Sequence, residues 1–180
     1  MRFIGIDPGV SGGLACLDDD GSVIDARKMP ETERDVLDLI VSLRGDPSEV
    51  VRGVIERVRS SPQMGVTSAF TFGRSYGGLR MALLAAGVSF EEVLPHAWQT
   101  ALGCRTGGGK LGERDQTAAK NKTKSHAQGW FAGVKITHAT ADALLLAEYV
   151  RRVERGMIGV VSGKARATRP RRVAESTSLF

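Results

Sequence analysis

The chain has 180 residues, 42% of them hydrophobic, enough to bury one sizeable core and too few for two comfortable domains. No apolar run approaches the ~18 residues that a membrane span needs, and Asp7 comes too early for a secretory leader. The formal charge is +5, yet residues 105–125 carry +4 and residues 151–172 carry +7, leaving −6 on the rest. Two basic zones on an acidic body form either an electrostatic footprint for a polyanion or a solvated face with a tail.

The first fourteen residues, MRFIGIDPGVSGGL, predict a short apolar strand (Phe3, Ile4, Ile6) that runs into Asp7, a glycine-rich turn and a second strand. A carboxylate at the end of a central strand must be paired, hydrogen-bonded or bound to a cation. Asp-Pro-Gly is also good turn chemistry, so Asp7 is either a cap or part of a site. Asp18-Asp19-Asp20-Gly21 lies between strand-like runs and predicts a hairpin, completing a three-stranded antiparallel meander. Cys16 and Cys104 are far apart and outside any metal spacing, which points to a reducing interior and a soluble cytoplasmic protein.

Glu31 to Leu43 reads as a helix, with Val36, Leu39, Ile40 and Leu43 at i, i+3, i+4 and i+7, a Thr32/Asp35 capping pair and Gly45-Asp46-Pro47 as its stop. Val50 to Val58 (VVRGVIERV) reads as a second buried strand with Glu56 near its carboxyl end. Ligands gather at the carboxyl ends of parallel strands, and two acids placed there on neighbouring strands repel unless a cation lies between them. The alternative for Glu56 is an ion pair with Arg57 or Arg59, although adjacent strand residues point to opposite faces.

Gln63 to Tyr76 is rich in glycine, serine and aromatics; Leu79 to Ala86 continues as a compact helix, and Val88 to Leu94 is a last strand before the short helix opened by His96-Ala97-Trp98-Gln99. Phe72 favours the core, whereas Phe70 could equally stack on a nucleobase. Gly107-Gly108-Gly109-Lys110 lacks phosphate-loop spacing and follows no strand, so no nucleotide cofactor is expected. Arg114, Lys120, Lys122 and Lys124 recur along a polar helix suited to phosphate contacts, with Lys110 in the loop before it. Ile136 to Arg155 is the final helix, with His138 and Asp142 one turn apart on one side. Beyond it, residues 156–180 form a basic stretch with the composition of a disordered tail.

The order IGIDPGVSGGLA, then VIERV, then H-x-x-x-D-A-L-L-L-A-E-Y resembles the RuvC-type Holliday junction resolvases of the RNase H-like superfamily over residues 1–155. The middle segment, FTFGRSYGGLRMALLAAGV followed by VLPHAWQ, is similar to the phage and chloroplast members, as is the four-residue spacing from His138 to Asp142. The resemblance implies an α/β RNase H-like fold, a five-stranded mixed sheet of three antiparallel strands then two parallel ones, flanked by helices. It implies a homodimer that makes paired nicks across four-way junction DNA, with two Mg²⁺ or Mn²⁺ per active site about 4 Å apart clamping the scissile phosphate. Asp7, Glu56 and Asp142 match the family carboxylates, and His138 falls where many members place a fourth ligand. Arg57, Arg59, Phe70 and Arg74, together with Lys110, Arg114, Lys120, Lys122 and Lys124, are the expected DNA contacts. The setting implied is the nucleoid of a bacterial or phage-infected cell. An RNase H-like nuclease for hybrid or single-stranded substrates and a non-catalytic junction-binding protein remain as alternatives. Small residues between Tyr76 and Ala86 (Gly77, Gly78, Ala82, Ala85, Ala86) either receive a second copy or pack on the chain's own sheet.

Overall fold

In a computed structural model, residues 1–58, 63–105 and 113–159 are described, with only the backbone of residues 113–117 and 119. Strand β1 (Arg2–Asp7) lies at the centre of the sheet because it is apolar on both faces. Phe3 enters one core, while Ile4 and Ile6 enter the other. It pairs antiparallel with β2 (Gly13–Leu17), which pairs antiparallel with β3 (Val23–Lys28). On its other side β1 runs parallel to β4 (Val51–Glu56), and β4 runs parallel to β5 (Ser89–Val93). The order β3-β2-β1-β4-β5 is the mixed five-stranded sheet that the sequence predicts.

Helices cover both faces. Helix α1 (Glu33–Arg44) and α2 (Val66–Ala85) bury Val36, Leu39, Ile40, Leu43, Leu79, Ala82 and Leu83 on the Ile4/Ile6 side. Thr32 caps α1 by accepting from the Asp35 amide at 3.1 Å and donating to its carboxylate at 2.6 Å, and Gly45 ends it at φ +69°. The other face carries α3 (Pro95–Ala101), α4 (Glu113–Trp130) and α5 (His138–Glu154), which share a core with Phe3 and Val54. Among the described residues, no helix is long and apolar enough to cross a membrane.

One boundary differs from the sequence reading. A single helix runs from Val66 through Ala85, so the segment preceding Leu79 is helical despite Gly73, Gly77 and Gly78. Low intrinsic propensity is overridden here because the Leu79–Leu83 turn is anchored in the core and carries the helix with it.

The far ends of α4 and α5 are joined by a polar cluster. Glu148 is buried and accepts from Arg151 (2.7 and 3.0 Å) and Arg152 (2.6 Å). Arg152 also lies 4.3 Å from the ring centre of Trp130 on α4. Two guanidinium groups hold the Glu148 carboxyl below its usual range against the opposing effect of burial, so this buried charge is compensated. Ile158 still packs on this core, whereas the stretch after Gly159 lies outside the described residues.

Candidate active site

Ile6 and Ile55 are register partners in the parallel β1–β4 pair. The next residue on each strand is an acid, so Asp7 and Glu56 leave the sheet side by side. Side-chain alternation puts both on the face of Phe3 and Val54, which α5 covers. From its second turn α5 contributes Asp142. Its approach depends on two glycines of the opening motif. A Cβ at Gly5 would collide with the Ala143 carbonyl and the Ala147 amide, and one at Gly13 with the Ala139 carbonyl. Thr137 and Thr140 form a reciprocal capping box that fixes where α5 begins. Gly9, at φ +115°, reverses the chain after Asp7, and the Gly12 amide closes the turn on its carbonyl at 3.0 Å.

The three acids are electrostatic neighbours. Burial above all, then Glu56 and Asp142, push Asp7 up to about 8, with Lys120 opposing. Burial pushes Glu56 up to about 7; a Trp98 hydrogen bond opposes this and Asp142 adds to it. Asp142 is raised by burial against the neighbouring Thr123 hydroxyl, Lys120 and His138. Such values mark carboxylates without enough positive charge around them. Asp142 Oδ1 is buried with no hydrogen-bond partner among the described residues. An orphaned oxygen beside two further carboxylates fits a hard divalent cation, which prefers oxygen ligands. In these side-chain positions, no group of three such residues among those described closes into a finished cage.

His138 is the first residue of α5 and is exposed, one turn before Asp142 at the rim of the acids. Lys120 approaches Asp7 and Asp142 from α4, and Lys122 donates to the Arg105 carbonyl at 2.8 Å. Lys124, half-buried, follows on the same helix. Phe70 is exposed on α2, while Phe72 is half-buried and lines a groove of about 660 Å³ beside the Gly9–Val10 turn. Arg74 pairs with Glu33 at 3.7 Å and so bridges α2 to α1. Arg57 does not pair with Glu56. It lies 3.9 Å from Glu92, which Arg80 also contacts at 3.0 Å. Arg59 and Lys110 lie outside the described residues, as does the side chain of Arg114.

Two buried residues join the site without a signal in the sequence. Trp98 Nε1 donates to Glu56 Oε1 at 2.9 Å, and Thr123, whose hydroxyl donates to the Lys120 carbonyl at 3.1 Å, lies beside Asp142. The Trp98–Glu56 bond spans 42 positions, too far for any local pattern to reveal.

No family model and no curated protein matches the chain. Solved structures do. Thermus thermophilus RuvC aligns with a TM-score of 0.61 at 18% identity, over 88% of this chain and 98% of that one. The structure of T. thermophilus RuvC in complex with a Holliday junction substrate aligns with the same values. At this identity the likeness is one of fold: the chain has the RuvC-type, RNase H-like architecture.

Proposed function

We propose that the chain is a divalent-metal-dependent endodeoxyribonuclease that resolves four-way DNA junctions by paired symmetric nicks as a homodimer. The observation that carries this reading is the meeting of Asp7, Glu56 and Asp142, with an orphaned oxygen among them, on the α5 face of a RuvC-type sheet. T. thermophilus RuvC, one protein with this fold, has been seen with a Holliday junction substrate. For this chain the reading implies the nucleoid of a bacterial or phage-infected cell.

Asp7, Glu56 and Asp142, with His138 at the rim, would hold two Mg²⁺ or Mn²⁺, which when bound supply an activated water and charge stabilisation at the phosphate. The chain's own groups do the rest. Lys120 brings a cation to the acids and can meet a phosphate oxygen, and Lys124 follows one turn on along the same side of α4. Trp98 donates to the Glu56 carboxylate. Phe70 offers an exposed ring for an unstacked base.

The test is a nicking assay on a four-way junction, a duplex, an RNA–DNA hybrid and a single strand, with Mg²⁺ and with EDTA. Mg²⁺-dependent cutting of opposite junction strands is expected. Preference for the hybrid or single strand would replace this reading with another RNase H-like nuclease. Binding without cutting under any metal would leave a junction-binding protein.

A further inference from the structure

We propose that Trp98 is a positioning residue for Glu56, holding Oε1 of the carboxylate with its indole N–H so that Oε2 is the oxygen left for a divalent cation. The inference rests on the acids being a metal site and extends it to a residue that touches no ligand.

The geometry is built to keep the donor still. Trp98 is 0% exposed and is packed in the core shared by Phe3, Val54 and Leu144. Glu56 is the register partner of Val93 on β5, and only Leu94 separates Val93 from Pro95, the first residue of α3. The chain therefore turns directly from the strand beside Glu56 into the helix that returns Trp98 over it. Pro95 fixes the first turn of α3, and the amides of Ala97 and Trp98 close on the Leu94 carbonyl at 2.9 and 3.4 Å. The Arg57 amide continues the ladder to the Val93 carbonyl, so the backbone around Glu56 is held as well. No other partner of Glu56 occurs among the described residues.

The kind of donor matters as much as its place. An indole N–H is neutral and donates one bond, so it orients the carboxylate without cancelling its charge. A lysine or arginine in that position would compete with the cation for the same anion. A buried indole also needs an acceptor, and here it finds one on a candidate ligand rather than on a main-chain carbonyl. Donors that hold metal-bound carboxylates typically contribute 10- to 100-fold in metal affinity.

The experiment replaces Trp98 with benzothienylalanine by nonsense suppression, which keeps the bicyclic shape but puts sulfur where the N–H was. Trp98→Phe is the second variant. Free Mn²⁺ is titrated by electron paramagnetic resonance, and the thermal midpoint and four-way junction binding are measured in EDTA. The expected result is Mn²⁺ affinity about 10-fold or more weaker in both variants. In the benzothienylalanine protein the midpoint and EDTA junction binding should stay at wild-type values. Mn²⁺ affinity within about twofold of wild type would overturn the proposal. So would a loss of affinity matched by a loss of midpoint in the benzothienylalanine protein, which is what a purely structural bond predicts. A wild-type protein that binds no Mn²⁺ would instead remove the metal site itself, and the proposal with it.

Discussion

A carboxyl pushed up to about 8 is an unwelcome anion at neutral pH, and Asp7 is held there by burial and by two other acids. The native state therefore takes up a proton that the unfolded chain, with an ordinary carboxyl near 3.8, releases. Without metal, the Asp7 contribution to stability falls as pH rises from about 4 to about 8. Asp7→Asn removes the charge and should make the metal-free protein more stable at pH 8.5, on the order of 2 kcal/mol. That advantage should shrink as pH falls towards 5. Urea denaturation in EDTA at several pH values checks it, and an Asn variant no more stable than wild type at pH 8.5 would contradict the assignment. The same substitution, like Glu56→Gln and Asp142→Asn, should cut nicking by about 100-fold or more while leaving junction binding in EDTA intact. An acid whose variant nicks normally does not belong to the site.

At the scale of elements, the site exists because α5 can lie unusually close to β1. Gly5 and Gly13 are spacers for that approach, where a Cβ would meet main-chain atoms that cannot rotate away. Gly5→Ala should therefore push α5 off the sheet and cost about 3 kcal/mol or more, read as a lowered urea midpoint. Moving Asp142 away from Asp7 should also weaken Mn²⁺ binding in whatever fraction stays folded. Wild-type stability in this variant would mean that the helix does not pack this closely. The opening motif was legible because its glycines, its acid and its apolar strand lie within fourteen consecutive residues. Glu56 was legible for the same reason, as an acid ending a β-branched run. The first half of α2 was not, since its apolar residues fall on two faces and its glycines and serines lower the propensity. Arg57 remains an expected DNA contact, and its pairing with Glu92 could not be read locally. Its ion pair depends on β5 and α2, which no local window contains.

At the scale of the molecule, one chain brings one set of acids, and a four-way junction has two symmetry-related phosphates to cut. A two-fold dimer supplies the second site with a single self-complementary patch. The outer face of α2 is the candidate patch. Met81 and Leu84 lie one turn apart on it and are 63% and 60% exposed. Gly73 and Gly77 lie on the same stripe with open space where a Cβ would stand, leaving room for close approach of a second helix. Of the small residues considered for this role, Ala82 packs into this chain's own core and Ala86 against it, whereas Gly77, Gly78 and Ala85 do not bury there. Sedimentation at micromolar concentration should give a dimer, with or without junction DNA. The double substitution Met81→Arg and Leu84→Arg should shift it to monomer without changing the thermal midpoint by more than a few degrees, since neither side chain leaves a cavity. The monomer should then nick one strand at a time, losing the simultaneous opposite cuts while each remaining site keeps its metal dependence. A wild-type protein that sediments as a monomer in both conditions would rule out paired nicking and favour the single-strand or hybrid nuclease.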